Sequence, residues 1–427
     1  MGEASRIALK AIGKQDTHLL SKEPEDSFFH CNRKSHSEFR KYHRVHNVVN
    51  NVNTPGWPFG QTIKIEFRPQ NMGDLLTNMW LSIKMPGVGA GEYPDQLGRH
   101  ILKSITMFVD DIEVEKIHDD WSVIYDEMYL EMSEKIANNF LLNRNLGYDD
   151  SKIFTNVATL DSQLMIPIHF FFSRKYANDE YSSNQPNRPY FPLCAIHRQK
   201  IIFELEFHNQ RFFTSNTNVI QLQSFNLITE EITVSPEERN YIANTKQVLV
   251  TDLVRKHPSI KSELGRDIIL NNLVPNIPVK CIHWFFRNES FENDNDTTEF
   301  RNRFNFSSNS VFDEVDTFFY NVMDSASFYI NGNKLPNVTN TNHAYYKYLI
   351  PFKHRLARPI RNIYTYSFSM NPINVEPSGN LDFSQIKSDK TNIEVKIKDT
   401  SKVYSMHMYY TGYQTFNFEG GFMSIAY

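Results

Sequence analysis

Cysteine is scarce in this chain, and the three present stand far apart at Cys31, Cys194 and Cys281. None forms a C-x-x-C pair, which argues against a disulfide framework or a cysteine-rich zinc module and points to folding in a reducing compartment. No run approaches the roughly 20 apolar residues that span a bilayer. No secretory leader is expected, because Arg6, Lys10 and Lys14 interrupt the short apolar stretch at the start. Gly2 does not open a myristoylation site, since Arg6 stands where Ser or Thr is required. An excess of one charge is missing too: the formal net charge is -4. That excludes a generally basic nucleic-acid coat, and direct nucleic-acid contact is not expected. G-x-S-x-G, a phosphate loop, a dinucleotide fingerprint and H-E-x-x-H are all lacking. No cofactor and no enzymatic activity are expected.

Aromatic residues, by contrast, are abundant, with 33 Phe and 21 Tyr in 427 residues. Flat rings suit half-buried pleated surfaces, so β-structure is favoured, and the length suits two domains of roughly 200 residues each. The stretch QTIKIEFR from Gln61 to Arg68 places Ile63, Ile65 and Phe67 on one face and Lys64, Glu66 and Arg68 on the other. Strands are expected likewise at Met79–Met85, Ile101–Val109, Ile112–Ile117, Leu164–Phe172, Gln199–Phe207 and Val219–Val234. Two segments break the pattern. Trp121–Asn138 has helical spacing, and Ser235 is placed to cap a short helix with Pro236 at its first position and Glu238 completing a capping box. Strands then resume at Gln247–Val254, Val279–Phe286, Ser327–Ile330, Ile363–Met370, Asn392–Ile397 and Val403–Tyr410, while polar Asn288–Phe312 reads as a long exposed loop. The fold class expected is all-β, two tandem sandwiches with short helices in loops. The boundaries expected are a segment 1–46, a first sandwich 47–235 and a second 236–427.

Several segments, in order along most of the chain, are similar to the major capsid proteins of the nucleocytoplasmic large DNA viruses, the group of iridoviruses and phycodnaviruses. GKQDTHL and PEDSFFHCNRKSHSEFRKYHRVHN resemble the family opening, WSVIYDEMYLEMSEK its helical segment, and IPIHFFFSR with PLCAIHRQKIIFELEF its aromatic strand and return. ITVSPEERNYIANTKQVLVTDL resembles the inter-domain junction, and IYTYSFSMNPINVEPSGNLDFSQI the most specific stretch of the family. Here Ile373 and Asn374 replace the family's acidic pair after Asn-Pro, and the ending FEGGFMSIAY is only loosely similar. The resemblance implies a double jelly roll, a homotrimer with pseudo-hexagonal outline, and tiling of an icosahedral shell with neighbouring capsomers. Minor capsid and penton proteins, and an inner viral membrane, are its implied partners. The implied location is the virion, after synthesis in the host cytoplasm.

Candidate sites divide between partner contact and plain structure. Phe28 and Phe29 with Arg33, Lys34, Arg40, Lys41 and Arg44 interleave rings and positive charge, a pattern suited to an acidic partner or lipid head groups. The resemblance places them on the shell's inner side. The cluster His30, Cys31, His36, His43 and His46 offers metal-ligand atoms, but with one cysteine and no paired ligands no metal is expected. The acidic pairs Asp110–Asp111, Asp119–Asp120 and Asp149–Asp150 read as solvated turn residues rather than as a catalytic pair. Sequons fall at Asn288, Asn295, Asn305 and Asn337, candidates for glycosylation that the missing leader argues against. Asn371, Pro372, Pro377, Ser378 and Gly379 read as a tight structural turn. Two rival readings carry their own marks. A carbohydrate-binding jelly-roll module needs a groove of stacked aromatics, and a cupin-type enzyme needs a metal site for which His169, His197 and His208 lack the tight spacing.

Overall fold

A computed structural model of the chain describes residues 7, 10, 13–14, 37–47, 54–87, 92–94, 96–142, 155–157, 162–174, 190–214, 218–292, 303–308, 320–337, 341–386 and 388–426. Contacts divide the chain into two units, Met1–Phe39 and Arg40–Tyr427, the second of which holds both sandwiches.

The first sandwich uses β1 (Phe39–Asn47), β2 (Thr62–Phe67), β3 (Leu75–Met85), β4 (Glu92–Pro94), β5 (Leu102–Val109), β6 (Ile112–His118), β7 (Thr155–Val157), β8 (Ser162–Ile168), β9 (Phe191–Pro192), β10 (Ile201–Phe207) and β11 (Ser224–Val234). Helices α1 (Leu97–Ile101), α2 (Asp119–Met128) and α3 (Met132–Leu141) lie in its connections. One sheet has the order β1-β11-β3-β8, with β9 beside β3, and the other β2-β10-β5-β6. The second sandwich follows α4 (Pro236–Asn244) and uses β12 (Gln247–Lys261), β13 (Ile268–Asn272), β14 (Val279–Asn288), β15 (Met323–Ile330), β16 (Asn333–Leu335), β17 (Tyr364–Ser367), β18 (Asn392–Ile397), β19 (Tyr404–Glu419) and β20 (Phe422–Ala426). Its sheets run β12-β19-β14-β17, with β20 beside β19, and β13-β18-β15-β16. The same strand order therefore recurs in both halves. Each is an antiparallel jelly roll whose paired sheets bury alternate residues.

The alternation produces the cores directly. Leu81, Ile83 and Met85 of β3 face Ile166 and Leu227 inside the first roll, while Trp284 of β14 packs edge-on to Phe328 and Tyr346 inside the second. Each such ring buried contributes roughly 1.5–3 kcal/mol, and edge-to-face pairing adds about 0.5–1.5 kcal/mol. The first core does not stop at the first roll. It continues through Val254, Phe285, Ile363 and Tyr409 of the second, so the two rolls share one hydrophobic interior at their junction.

Several expected elements shift for local reasons. The strand read as Leu164–Phe172 ends at Ile168, because Ser173 and Arg174 donate back to the Phe170 carbonyl. That turn buries Phe170, Phe171 and Phe172 together, which an alternating strand cannot do. The helix read as Trp121–Asn138 is two helices. The second has a capping box in which the Glu131 side chain accepts from the backbone at the third helical residue and Glu134 reaches back to the Glu131 N–H. Ser235 caps α4 by accepting from the Glu238 N–H at 3.3 Å. The strand Ile363–Met370 shortens to Tyr364–Ser367, and the short strand β13 lay outside every expected range.

Candidate assembly site

The two rolls meet where the connection between β6 and β8 of the first packs on the outer face of sheet β12-β19-β14-β17 of the second. Helix α2 begins with Asp119 and Asp120, whose charge suits a helix N-terminus. Both are buried, not solvated as the acidic-pair reading expected. Asp120 pairs with the fully buried Arg287 and accepts from the Tyr409 hydroxyl at 3.3 Å. Arg287 Nη1 also reaches Glu292 at 3.2 Å, and its Nε–H donates to the Arg303 carbonyl at 2.7 Å. Arg303 joins Glu292 at 3.0 Å and Asp119 at 3.5 Å, and His208 meets Asp119 at 3.1 Å. Burial works against ionising Asp119, yet Arg303, His208 and Arg287 hold its carboxyl well below the usual range.

Three further pairs complete the seam. Glu115 accepts from Arg174 and from the backbone N–H groups of Phe171 at 3.0 Å and Val254 at 2.8 Å. Lys280 sits between Asp252 at 3.2 Å and the Asn374 carbonyl at 2.6 Å, so one of the two residues that replace the acidic pair serves through its backbone. Glu127 takes Arg361 and the Ile360 N–H at 2.6 Å. Tyr129 and Trp121 cover His283, with the Tyr129 hydroxyl 2.8 Å from its Nε2. Charges this deep must be paired and hydrogen-bonded to be tolerated. Asp120–Arg287, Asp119–Arg303, Glu127–Arg361 and Arg174–Asp252 pair across the two rolls, and those four pairs fix how the rolls sit together.

Of the basic-aromatic segment, Phe28, Phe29, Arg33 and Lys34 lie outside the described residues, as do His30, Cys31 and His36. Arg40, Lys41 and Arg44 stand on β1, so a boundary at His46 falls inside a strand of the first sheet. Lys41 pairs with Glu230 at 3.2 Å and Arg44 with Glu231 at 3.2 Å, so two charges read as free for a partner are used within the roll. His43 meets Glu230 at 3.2 Å and His46 meets Thr229 at 3.0 Å. Against burial, hydrogen bonds from Thr77, Asn78, Lys41 and His43 hold the Glu230 carboxyl down at about 2. Among the described residues no three His, Cys, Asp or Glu side chains are grouped to hold a metal. His169 stacks on Tyr125 and His208 on Phe212.

The polar loop read over Asn288–Phe312 is not exposed throughout. Phe291, Phe304, Asn305 and Phe306 are buried, and the Phe306 ring stacks on Phe285 at 3.9 Å. The many Asn and Ser residues hid an aromatic plug. Asn305, only 1% exposed, is closed to glycosylation. Asn288 caps a short turn by accepting from the Ser290 N–H, Asn295 lies outside the described residues, and Asn337 is exposed. Near Asn371 and Pro372 the chain doubles back on Ser378, whose Oγ accepts from the Asn371 N–H at 3.0 Å while its N–H donates to the Tyr413 hydroxyl at 3.1 Å. Gly379, after Pro377, has φ +124°, and a Cβ there would sit 3.2 Å from the Phe368 carbonyl oxygen. Cys194 and Cys281 are buried free thiols, pushed by burial up to about 11 and about 12, while Cys31 lies outside the described residues.

What the sequence did not reveal is a second, unsatisfied surface. Leu349 and Phe352, in the helical connection between β16 and β17, are 52% and 83% exposed. On the first roll, Asn78, Trp80, Leu141, Met165 and Pro167 line a cleft of about 240 Å³ on the outer face of its β1-β11-β3-β8 sheet. Clefts and apolar surface of this kind mark places where another molecule binds.

Residues 230–425 match the family described as large eukaryotic DNA virus major capsid protein, and residues 27–251 match the major capsid protein N-terminus. The chain is 22% identical to the major capsid protein of Pyramimonas orientalis virus, covering 94% of each. Among solved structures it is similar to PBCV-1 VP54, as fitted into a reconstruction of the virophage Sputnik, with a TM-score of 0.73 and 16% identity over 94% of this chain and all of that one. It is similar also to the Faustovirus major capsid protein, with a TM-score of 0.67 and 11% identity over 97% of this chain and 99% of that one. These likenesses show a double jelly-roll fold.

Proposed function

Because the chain belongs to the major capsid proteins of large eukaryotic DNA viruses, we propose that three copies close into a capsomer and that these capsomers tile an icosahedral shell. The observation that carries this reading is the buried ionic seam. It locks two like rolls into one rigid subunit, so three copies supply six similar units for a pseudo-hexagonal ring. Association, rather than chemistry, is the activity. Light scattering of the recombinant protein is expected to give a smallest stable species of three 50.1 kDa chains. A monodisperse monomer at micromolar concentration would refute the reading.

The segment ahead of β1 is proposed to face the shell interior and to contact minor capsid proteins or an inner membrane. Its rings Phe28 and Phe29 would act as anchors, with Arg33 and Lys34 contributing roughly 1 kcal/mol each near an anionic surface. Deleting Met1–Pro24, or replacing Phe28, Phe29, Arg33 and Lys34 together with Ser, is expected to leave the trimer intact while particle assembly fails or minor components are lost. A truncated protein that cannot fold would place the segment in the core instead.

A further inference from the structure

Between β16 and β17 the chain makes a π turn, Tyr345–Leu349, an element found mostly at functional sites. Tyr346 fixes it from inside, its hydroxyl donating to the Ala326 carbonyl at 2.8 Å. The next residue, Lys347, is carried inward with it and is only 2% exposed. Its Nζ donates to the Asn362 side-chain carbonyl at 2.6 Å and to the Ile360 carbonyl at 3.3 Å. The Tyr348 ring centre lies 5.4 Å from the same atom.

Asn362, just ahead of β17 and 1% exposed, is held as firmly. Glu127 of α2 accepts from the Ile360 N–H at 2.6 Å and pairs with Arg361, whose Nε–H donates to the Phe304 carbonyl at 3.0 Å. Those contacts fix the backbone that leads into Asn362. Among the described residues nothing accepts from its amide Nδ2, although that nitrogen is buried. A buried donor without an acceptor is rare, and each one calls for an explanation. As an ammonium neutralised by two carbonyl oxygens, Lys347 would be satisfied while Nδ2 stayed orphaned. Burial, opposed by Glu127 and aided by Arg358, lowers the Lys347 amine to about 8, so its neutral, nucleophilic form is at hand in mildly alkaline solution. The Asn362 Cγ lies one carbonyl bond, about 1.2 Å, beyond the oxygen that Nζ touches. Rotation about the soft terminal torsion of the amide brings Nζ and Cγ to the separation of about 3–3.5 Å from which attack proceeds.

We propose that Lys347 Nζ attacks Cγ of Asn362 and displaces Nδ2, closing an intramolecular isopeptide bond in the folded chain. The Nζ–Cγ bond forms and the Cγ–Nδ2 bond breaks. One amine hydrogen passes to the departing nitrogen, relayed by the Glu127 carboxylate whose charge bears on that amine. The nitrogen leaves as ammonia, and no oxidant or cofactor is consumed. The reaction removes the buried amine and the orphaned Nδ2 together and leaves a neutral amide in their place. It happens once per chain, so it is a maturation step and not a turnover, and it involves one chain whatever the oligomer. The product ties the connection that bears Leu349 and Phe352 to the start of β17, so that loop stays closed even when the chain is denatured.

Mass spectrometry tests it directly. The full-length protein, purified folded, kept in mildly alkaline buffer and then denatured, is expected to weigh one ammonia less than its sequence. An asparagine that closes on its own backbone as a succinimide loses the same ammonia, so a tryptic map decides between the two. The linked chain gives one branched peptide, Leu335–Lys353 joined to Asn362–Lys387, because trypsin does not cut after an acylated lysine. Lys347→Arg keeps the buried cation and its donors but supplies no nucleophile. Folded by circular dichroism, that variant is expected to show the full sequence mass and no branched peptide. Should it fail to fold, the wild-type map still decides. A wild-type chain at full mass would overturn the proposal, as would loss of ammonia without the branched peptide.

Discussion

Replacing Arg287 with Met is expected to destabilise the protein by about 3–5 kcal/mol, the range for removing one partner of a buried pair. The guanidinium is fully buried and serves Asp120, Glu292 and the Arg303 carbonyl at once, with Phe285 and Phe306 beneath it at 5.3 and 5.7 Å. Met fills much of the space but leaves two carboxylates in a low-dielectric interior, and that uncompensated charge is the source of the loss. Arg287→Lys keeps the charge without the fork that reaches several acceptors, so an intermediate loss is expected. Combining Arg287→Met with Asp120→Leu removes both members of one pair, and the double variant is expected to lose less than the sum of the singles. By contrast, Lys64→Ala breaks an exposed pair with Glu204 and is expected to cost no more than about 1 kcal/mol. Urea midpoints at one fixed protein concentration measure these four and Asp120→Leu alone, which completes the cycle. A loss below about 1 kcal/mol for Arg287→Met would mean that water reaches the seam and that the pairing does not hold the rolls.

The seam also marks the limit of what the residues alone disclosed. Period-two alternation in QTIKIEFR, in Ile112–Ile117 and in Asn392–Ile397 located strands, since one face of each strand is buried and the other is wet. The Ser235 cap was legible because a helix start has a local chemistry. Asp119–Asp120 was misread for the opposite reason: its partners Arg287 and Arg303 stand more than 160 residues away, and nothing local distinguishes a buried acidic pair from a solvated one. Phe304 and Phe306 were hidden in the same way, because a ring that docks on His100 or Phe285 leaves no periodic trace in an Asn-rich stretch. Strand β13 was missed for want of contrast. Ile268 and Leu270 are exposed while Ile269 is buried, so apolar residues occupy both faces and the alternation vanishes.

Acidification from pH 7 to pH 5 is expected to weaken the folded protein by about 5 kcal/mol, well before most carboxylates take up protons. Burial dominates for three histidines. His100, against Phe304 and with Nδ1 3.3 Å from the Gln96 carbonyl, is lowered to about 3. His283, between the Thr365 and Tyr129 hydroxyls, is also lowered to about 3. His118 is lowered to about 4, by burial first and then by the Lys256 charge. In the unfolded chain each titrates near 6.5, so below that pH the unfolded state binds protons that the folded state refuses. Stability is therefore fully present above about 6.5 and falls as the pH drops toward 4, by roughly 2 kcal/mol per histidine at pH 5. Below about 4.5 the carboxylates add to the loss: Glu292, Glu127, Asp119 and Asp120 are held low by their arginine partners and lose that stabilisation on protonation. Glu115 works in the opposite sense, because burial raises its carboxyl. His100→Phe tests the assignment, since a ring packed beside Phe304 needs no charge. That variant is expected to lose about a third of the change between pH 7 and pH 5 while remaining folded at pH 7. Urea midpoints that stay level from pH 7 to pH 5 would show that water reaches these imidazoles and that the seam tolerates their charge.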